Sequence, residues 1–264
     1  TVAAANVVFA GNNANVGDNK TVNLTLVTVN DGNGGGNYVI GMTSSTTSRI
    51  TPAALRVAAA NDARFVVQQD AVNYAGLIVN GFVNGETVAQ LTGAPVITRT
   101  NASVQAAGTY AGVLQPSGYS SNNYAITYVN GDYTIVPAQN LLVSVTPVFT
   151  TYSNAPSYTY NAKYLAPDNT TIVDLTPNIN QTSGALNIND GAGGIANFNL
   201  SPANAVLSGS GNTSVGAYNL SAANAQITGA NFRALTVVGS LTVQPLRLAA
   251  SDLGMASVNK VYDG

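Results

Sequence analysis

Hydrolytic chemistry in this chain would have to come from its eleven acidic residues, of which Glu86 is the single glutamate. Histidine and cysteine are both absent, so neither a Ser-His-Asp relay nor a cysteine nucleophile can be assembled. Glycoside hydrolysis would need two carboxylates flanking one bond. Most of the acids stand beside Asn or Gly instead, as in Asn30-Asp31-Gly32, Gly131-Asp132 and Asn189-Asp190-Gly191. Asp in that company bonds its own backbone and shapes turns. The expectation is a non-enzymatic protein without catalytic residues.

Two loops, 30–37 and 187–194, are rich in Asn, Gly and oxygen donors. Calcium takes roughly six to eight oxygen ligands, several of them carboxylates. Each loop supplies one Asp, and neither has EF-hand or glycine-rich nonapeptide spacing. They read as hairpin tips, with room for weak calcium binding and for no resident metal or cofactor. A phosphate loop would need a following helix and a Lys-Ser/Thr pair, which these runs lack.

Recognition of sugars is the remaining chemistry. Tyrosine occurs 13 times, against six phenylalanines and no tryptophan. Tyr152, Tyr158, Tyr160 and Tyr164 form one group; Tyr110, Tyr119, Tyr124, Tyr128 and Tyr133 form another. A sugar site combines an aromatic platform with amide and hydroxyl donors. The competing reading is cross-strand packing, because tyrosine is also a good strand former. Lys20, Lys163 and Lys260, with abundant Asn, also allow a Lys–Asn isopeptide crosslink if a buried acid stands beside the pair.

These side chains must be held by strands. Hydrophobic residues make up 45% of the 264, enough for a core, while charged residues make up only 8%, against about 25% in an ordinary domain. Surface helices lean on Glu, Lys, Arg and Gln, and here Glu and Lys are nearly missing. The net charge of −2 and the lack of a basic stripe exclude nucleic acid and anionic membrane as expected partners. No run is apolar for long enough to insert in a membrane. Short apolar runs with frequent turn signals predict an all-β protein. The Ala-rich stretch 53–63 is read as strand, and one helical turn is expected around 84–91.

One pattern occurs three times. It is an Asn-aromatic strand, a turn, a second strand and a proline: Asn37-Tyr38 to Pro52, Asn123-Tyr124 to Pro137, and Asn231-Phe232 to Pro245. The second copy reads as a hairpin turning at Asn130-Gly131-Asp132. A Gly-aromatic segment precedes two copies, Gly108-Thr109-Tyr110 and Gly216-Ala217-Tyr218, with the related Asn15-Val16-Gly17 before the first. An apolar strand follows each proline, beginning at Leu55-Arg56-Val57, Leu141-Leu142-Val143 and Leu246-Arg247-Leu248. Pro52, Pro137 and Pro245 are thus joints, and short stiff joints favour a rod.

At these residues the chain resembles the MBG and YDG repeat modules of large bacterial exoproteins, the filamentous-haemagglutinin-like adhesins exported by two-partner secretion. The MBG-like signature runs from Leu77-Ile78-Val79-Asn80-Gly81-Phe82 through Gly108-Thr109-Tyr110 to Pro137. The YDG-like signature is split between Val258-Asn259-Lys260-Val261-Tyr262-Asp263-Gly264 and residues 9–22. A copy of the chain joined after Gly264 would read Lys-Val-Tyr-Asp-Gly-Thr-Val-Ala, one continuous YDG-like module. The expectation is therefore one period of a tandem array, or subunits docking head to tail.

The expected modules are 1–52, the latter part of a YDG-like module; 53–137, MBG-like; 138–245, larger, with Gly/Asn-rich insertions; and 246–264, the start of a further YDG-like module. Each is a small β-grasp-like or sandwich-like unit in a linear row. The resemblance implies an extracellular, cell-surface structural stalk or fibre. The expected partners are neighbouring modules or copies of the same protein, with glycans or exopolysaccharide as the alternative.

Overall fold

The computed structural model describes residues 2–182 and 185–248. Before Pro52 lie β1 (Val2–Phe9), β2 (Gly17–Val29) and β3 (Ser45–Ile50). Between Pro52 and Pro137 lie β4 (Ala53–Ala59), β5 (Asp62–Phe65), β6 (Leu77–Asn80), β7 (Val96–Arg99), β8 (Gly108–Ser117), β9 (Tyr124–Val129) and β10 (Gly131–Val136). Then come β11 (Asn140–Val145), β12 (Val148–Thr151), β13 (Tyr160–Leu165), β14 (Ile172–Asp174) and β15 (Ile179–Thr182). β16 (Ala185–Asn189), β17 (Ile195–Pro202), β18 (Gly216–Thr228), β19 (Ala234–Val238) and β20 (Ser240–Gln244) complete the described strands.

The protein is all-β, and its helices among the described residues are single 3₁₀ turns. The turn expected at 84–91 is Val88–Gln90, closed by a capping box between Thr87 and Gln90. The Ala-rich stretch after Pro52 is strand, as β4 and β5. Each joint proline follows a strand end, at Ile50, Val136 and Gln244, as a residue without an N–H must.

The described chain forms two compact units, each discontinuous in sequence. One comprises residues 2–58, 77–96 and 116–129. It holds the antiparallel sheet β1-β2-β3 and the sheet β6-β4-β9. Leu55, Val57 and Tyr124 are its buried centre, with Leu77, Val79, Phe82 and Tyr128 packed around them. The Phe82 and Tyr124 rings meet edge to face at 5.4 Å.

The other unit comprises 59–76, 97–115 and the described part of 130–248. Here sheet β14-β13-β11-β19 packs on the six-stranded sheet β12-β20-β18-β17-β16-β15 as a sandwich. Leu141, Val143, Ile188, Phe198, Phe232 and Leu241 fill the space between them. Burying a side chain of Leu or Phe size contributes about 1.5–3 kcal/mol. A further sheet, β5-β10-β8-β7, joins through Phe65 and Val136 against Leu142, Leu165 and Val238.

The expected hairpin at 124–136 is not formed. β9 pairs in parallel with β4, with Leu55 opposite Ile126 and Val57 opposite Tyr128. β10 pairs in parallel with β5 and antiparallel with β8. β9 and β10 therefore lie in different sheets. Only Asn130 separates them, and one residue cannot reverse a chain that needs at least a two-residue turn. The third copy repeats the arrangement: β19 pairs in parallel with β11, β20 in parallel with β12, and only Gly239 intervenes. The glycines serve close approach rather than turning. A Cβ on Gly131 would stand 2.6 Å from the Ala59 carbonyl oxygen, and one on Gly239 would stand 2.6 Å from the Val145 Cβ.

One register is common to all three copies. Gly17 faces Ile50, Gly108 faces Ile135, and Gly216 faces Val243. Each apolar member stands two residues before Pro52, Pro137 or Pro245.

Candidate functional site

The Gly-aromatic segments explain two tyrosines. Tyr110 Oη donates to the Ala106 carbonyl and Tyr218 Oη to the Ser214 carbonyl, both at 2.8 Å and both four residues upstream. The ring folds back over the glycine two positions earlier, where a Cβ on Gly216 would come within 3.0 Å of the Tyr218 hydroxyl. These are tyrosine corners. Tyr124 and Tyr133 are buried core residues. Tyr128 Oη donates to the Tyr119 carbonyl at 2.8 Å and accepts from the Tyr119 amide at 2.7 Å. In the 110–133 group, Tyr124 and Tyr133 are thus core packing, and the Tyr110 and Tyr128 hydroxyls are straps to backbone.

In the 152–164 group, Tyr164 is buried against Phe232 in the sandwich core. Tyr152 and Tyr158 differ, because they sit on the loop after β12. Tyr158 lines a cavity of about 310 Å³ with Thr150, Asn154, Pro156, Asn212 and Thr213. Its walls are laced together. Tyr152 stands outside that lining: its Oη donates to Ser208 Oγ at 2.7 Å and lies 2.9 Å from Ser210 Oγ. Asn212 Nδ2 donates to Ser153 Oγ at 3.3 Å, and Thr150 Oγ1 to the Asn154 carbonyl at 3.2 Å. Bonds to Ser208 and Ser210 pull the Tyr152 phenol below its usual range, whereas burial pushes Tyr158 up. Amides and hydroxyls around one aromatic ring suit a neutral polyol, and the volume lies at the small end of ligand cavities.

The two Gly/Asn loops fold around their own aspartates. Asp31 Oδ1 accepts from the amides of Asn33 and Gly35, both at 2.9 Å, and Oδ2 from Asn37 Nδ2 at 3.2 Å. Those bonds, Gly35 first, hold its pKa low. Asp190 Oδ1 accepts from Ala192 at 2.8 Å and Gly194 at 2.7 Å; Asn231 Nδ2 binds its Oδ2 at 2.8 Å. Both carboxylates thus act as loop closures. Lys163 Nζ lies 3.6 Å from Asp174 Oδ2 on an open surface. Lys20 is on β2 opposite Ser48, and Lys260 lies outside the described residues.

Sequence reasoning missed one cluster. Asp70 accepts from Arg64 Nε at 2.8 Å, Arg99 Nη1 at 2.8 and 2.9 Å, and Tyr133 Oη at 2.9 Å. Arg64 also donates to Gln105 and to the Phe65 carbonyl. Arg99 Nη2 donates to the carbonyls of Asn101, Ala102 and Val104. Burial opposes ionisation of Asp70, but bonds from Arg64 and Tyr133 and the two positive charges outweigh it, and its pKa is low. Burial first, then Asp70, pushes the Tyr133 phenol far up. Each guanidinium nitrogen of both arginines donates at least once, so the cluster staples loops 66–76 and 100–106 to the sheet. The available signal was a pair of arginines, in Ala63-Arg64-Phe65 and Ile97-Thr98-Arg99, flanked by apolar strand residues.

A family model described as MBG domain (YGX type) matches residues 55–134, the stretch from β4 to β10. No curated protein and no solved structure matches the chain.

Proposed function

We propose that this chain is a non-enzymatic structural segment of a bacterial surface or matrix adhesin, in which tandem β-modules form a stalk or fibre. The observation that carries this reading is the register repeated at Gly17–Ile50, Gly108–Ile135 and Gly216–Val243, each ending at a joint proline. The MBG-type match over 55–134 supports an adhesin-like module. In such a row, stability comes from module cores and nearest-neighbour contacts. A neutral surface of amides and hydroxyls, with 8% charged residues and no cysteine, suits the cell exterior. No metal or cofactor enters the reading.

The cavity at Tyr158, Asn154 and Asn212 supports a second reading, in which the 138–245 module binds a glycan or exopolysaccharide. A glycan array probed with the recombinant chain separates the two. The stalk reading expects no glycan to be retained. Retention that disappears in Tyr158→Ala would make the module a carbohydrate binder instead.

A further inference from the structure

The 138–245 module is entered and left by strands that run the same way. β11 opens it shortly after Pro137, and β20 closes it directly before Pro245. β11 pairs in parallel with β19 from Asn140–Ala234 to Ser144–Val238. β12 pairs in parallel with β20 from Val148–Leu241 to Thr151–Gln244. The opening stretch 140–151 and the closing stretch 234–244 therefore lie side by side in one direction. The chain enters at one end of this pairing and leaves at the other.

That placement decides how a pull on the two joints is felt. Tension drawn through Pro137 and Pro245 acts along β11 and β20 in opposite directions, across their ladder bonds rather than along them. To yield, β11 must slide along β19, or β20 along β12, and the bonds of a whole strand must break together. An antiparallel pair pulled from its shared end loses its bonds one at a time. Each bond contributes only about 0.5–1.5 kcal/mol net, so the collective route has the higher barrier.

Both strands are also held on two sides. β11 lies between β13 and β19, and β20 between β12 and β18. Neither is an edge strand that could be stripped away. Leu141 and Val143 of β11 and Leu241 and Val243 of β20 are buried in the sandwich core. Further bonds extend the grip past the ladders. The Arg233 amide donates to the Gln139 carbonyl before β11, and the Tyr152 amide to the Gln244 carbonyl after β12, both at 2.8 Å. Thr236 Oγ1 donates to Asn140 Oδ1 at 3.2 Å. The 53–137 module repeats the order: β4 lies between β6 and β9, β10 between β5 and β8, and each has a parallel partner.

We propose that the 138–245 module is a mechanical clamp, in which the parallel pairing of β11–β12 with β19–β20 resists extension of the chain between Pro137 and Pro245. The use of that resistance, bearing tension along a surface fibre, rests on the stalk reading. The resistance itself follows from the strand order and would be present equally in a glycan binder.

The absence of cysteine lets pulling handles be placed by substitution. One variant carries Pro137→Cys and Pro245→Cys, the other Pro137→Cys and Thr170→Cys, all at exposed positions. Residue 170 follows β13, which is antiparallel to β11 with Tyr164 opposite Leu141. The second pair of handles therefore peels β11 and β13 apart from their shared end. Each chain is stretched in optical tweezers at one pulling speed, and the length released identifies the segment between the handles. Forced unfolding reports the unfolding barrier, and the force for the 137–245 handles should exceed that for the 137–170 handles by about twofold or more. A melting curve on each variant shows that its modules remain folded. Equal forces in two folded variants, or the lower force for the 137–245 handles, would overturn the clamp. Glycan retention on the array would overturn the stalk reading and leave this ratio of forces as it is.

Discussion

The guanidinium carbon of Arg99 stands 4.6 Å from the centre of the Tyr133 ring. The ring faces a cation whose Nη1 is already bonded to Asp70, the residue that also accepts from the Tyr133 hydroxyl. Arg64 and Arg99 are almost completely buried, so their charges depend on this one carboxylate. Asp70→Asn leaves two buried guanidinium groups with an amide in place of a charge. The expected loss is about 3–5 kcal/mol, the usual cost of breaking a buried pair from one side. Urea unfolding of the chain measures it. A loss below about 1 kcal/mol would mean that the arginines reach water.

Two aspartates of this region should respond to pH in opposite senses. The Asp70 pKa is lower folded than unfolded. Its stabilising contribution is fully present above about pH 4, the unfolded value, and disappears as pH falls through the folded value. Asp62 is raised, by burial and by the charge of Asp70, against a bond from the Ala63 amide. Its ionised form therefore costs stability at neutral pH. Asp62→Asn is expected to raise the urea midpoint at pH 7, and the gain should vanish below about pH 4, where both side chains are neutral. An equal gain at both pH values would contradict the assignment.

Gly131→Ala and Gly239→Ala test the sheet-switching points. Each new methyl would meet Ala59 or Val145 at 2.6 Å. Overpacking of this kind costs about 1–3 kcal/mol. Gly209→Ala meets nothing within 4 Å and should change the thermal midpoint little.

The tyrosine corners predict matched effects. Tyr110→Phe and Tyr218→Phe each delete one hydroxyl-to-carbonyl bond and keep the ring. About 0.5–1.5 kcal/mol should be lost in each case, read from denaturant melts. Similar values would mark the two segments as equivalent parts of repeated modules.

Much of this was legible. Apolar runs marked the strands of the repeat copies and those after the joint prolines, the prolines marked strand ends, and the Gly-aromatic segments fall at the starts of β8 and β18. Asn-Gly-Asp at 130–132 misled, because glycine signals both a turn and a close approach. Only the neighbour at Ala59 separates the two meanings. Asp70 gave no signal at all, since an isolated acid acquires its role from arginines 6 and 29 residues away.

By itself the amino-acid sequence determined the all-β character, the three copies, and the chemistry denied to a chain without histidine or cysteine. These follow from side-chain type and short-range periodicity. The tertiary structure decided which strands lie side by side. Parallel pairing of β4 with β9 and of β11 with β19 joins residues roughly seventy to ninety-five positions apart, and no local pattern encodes a partner at that distance. It also separated the tyrosines that are core or strap from the one that faces a cavity.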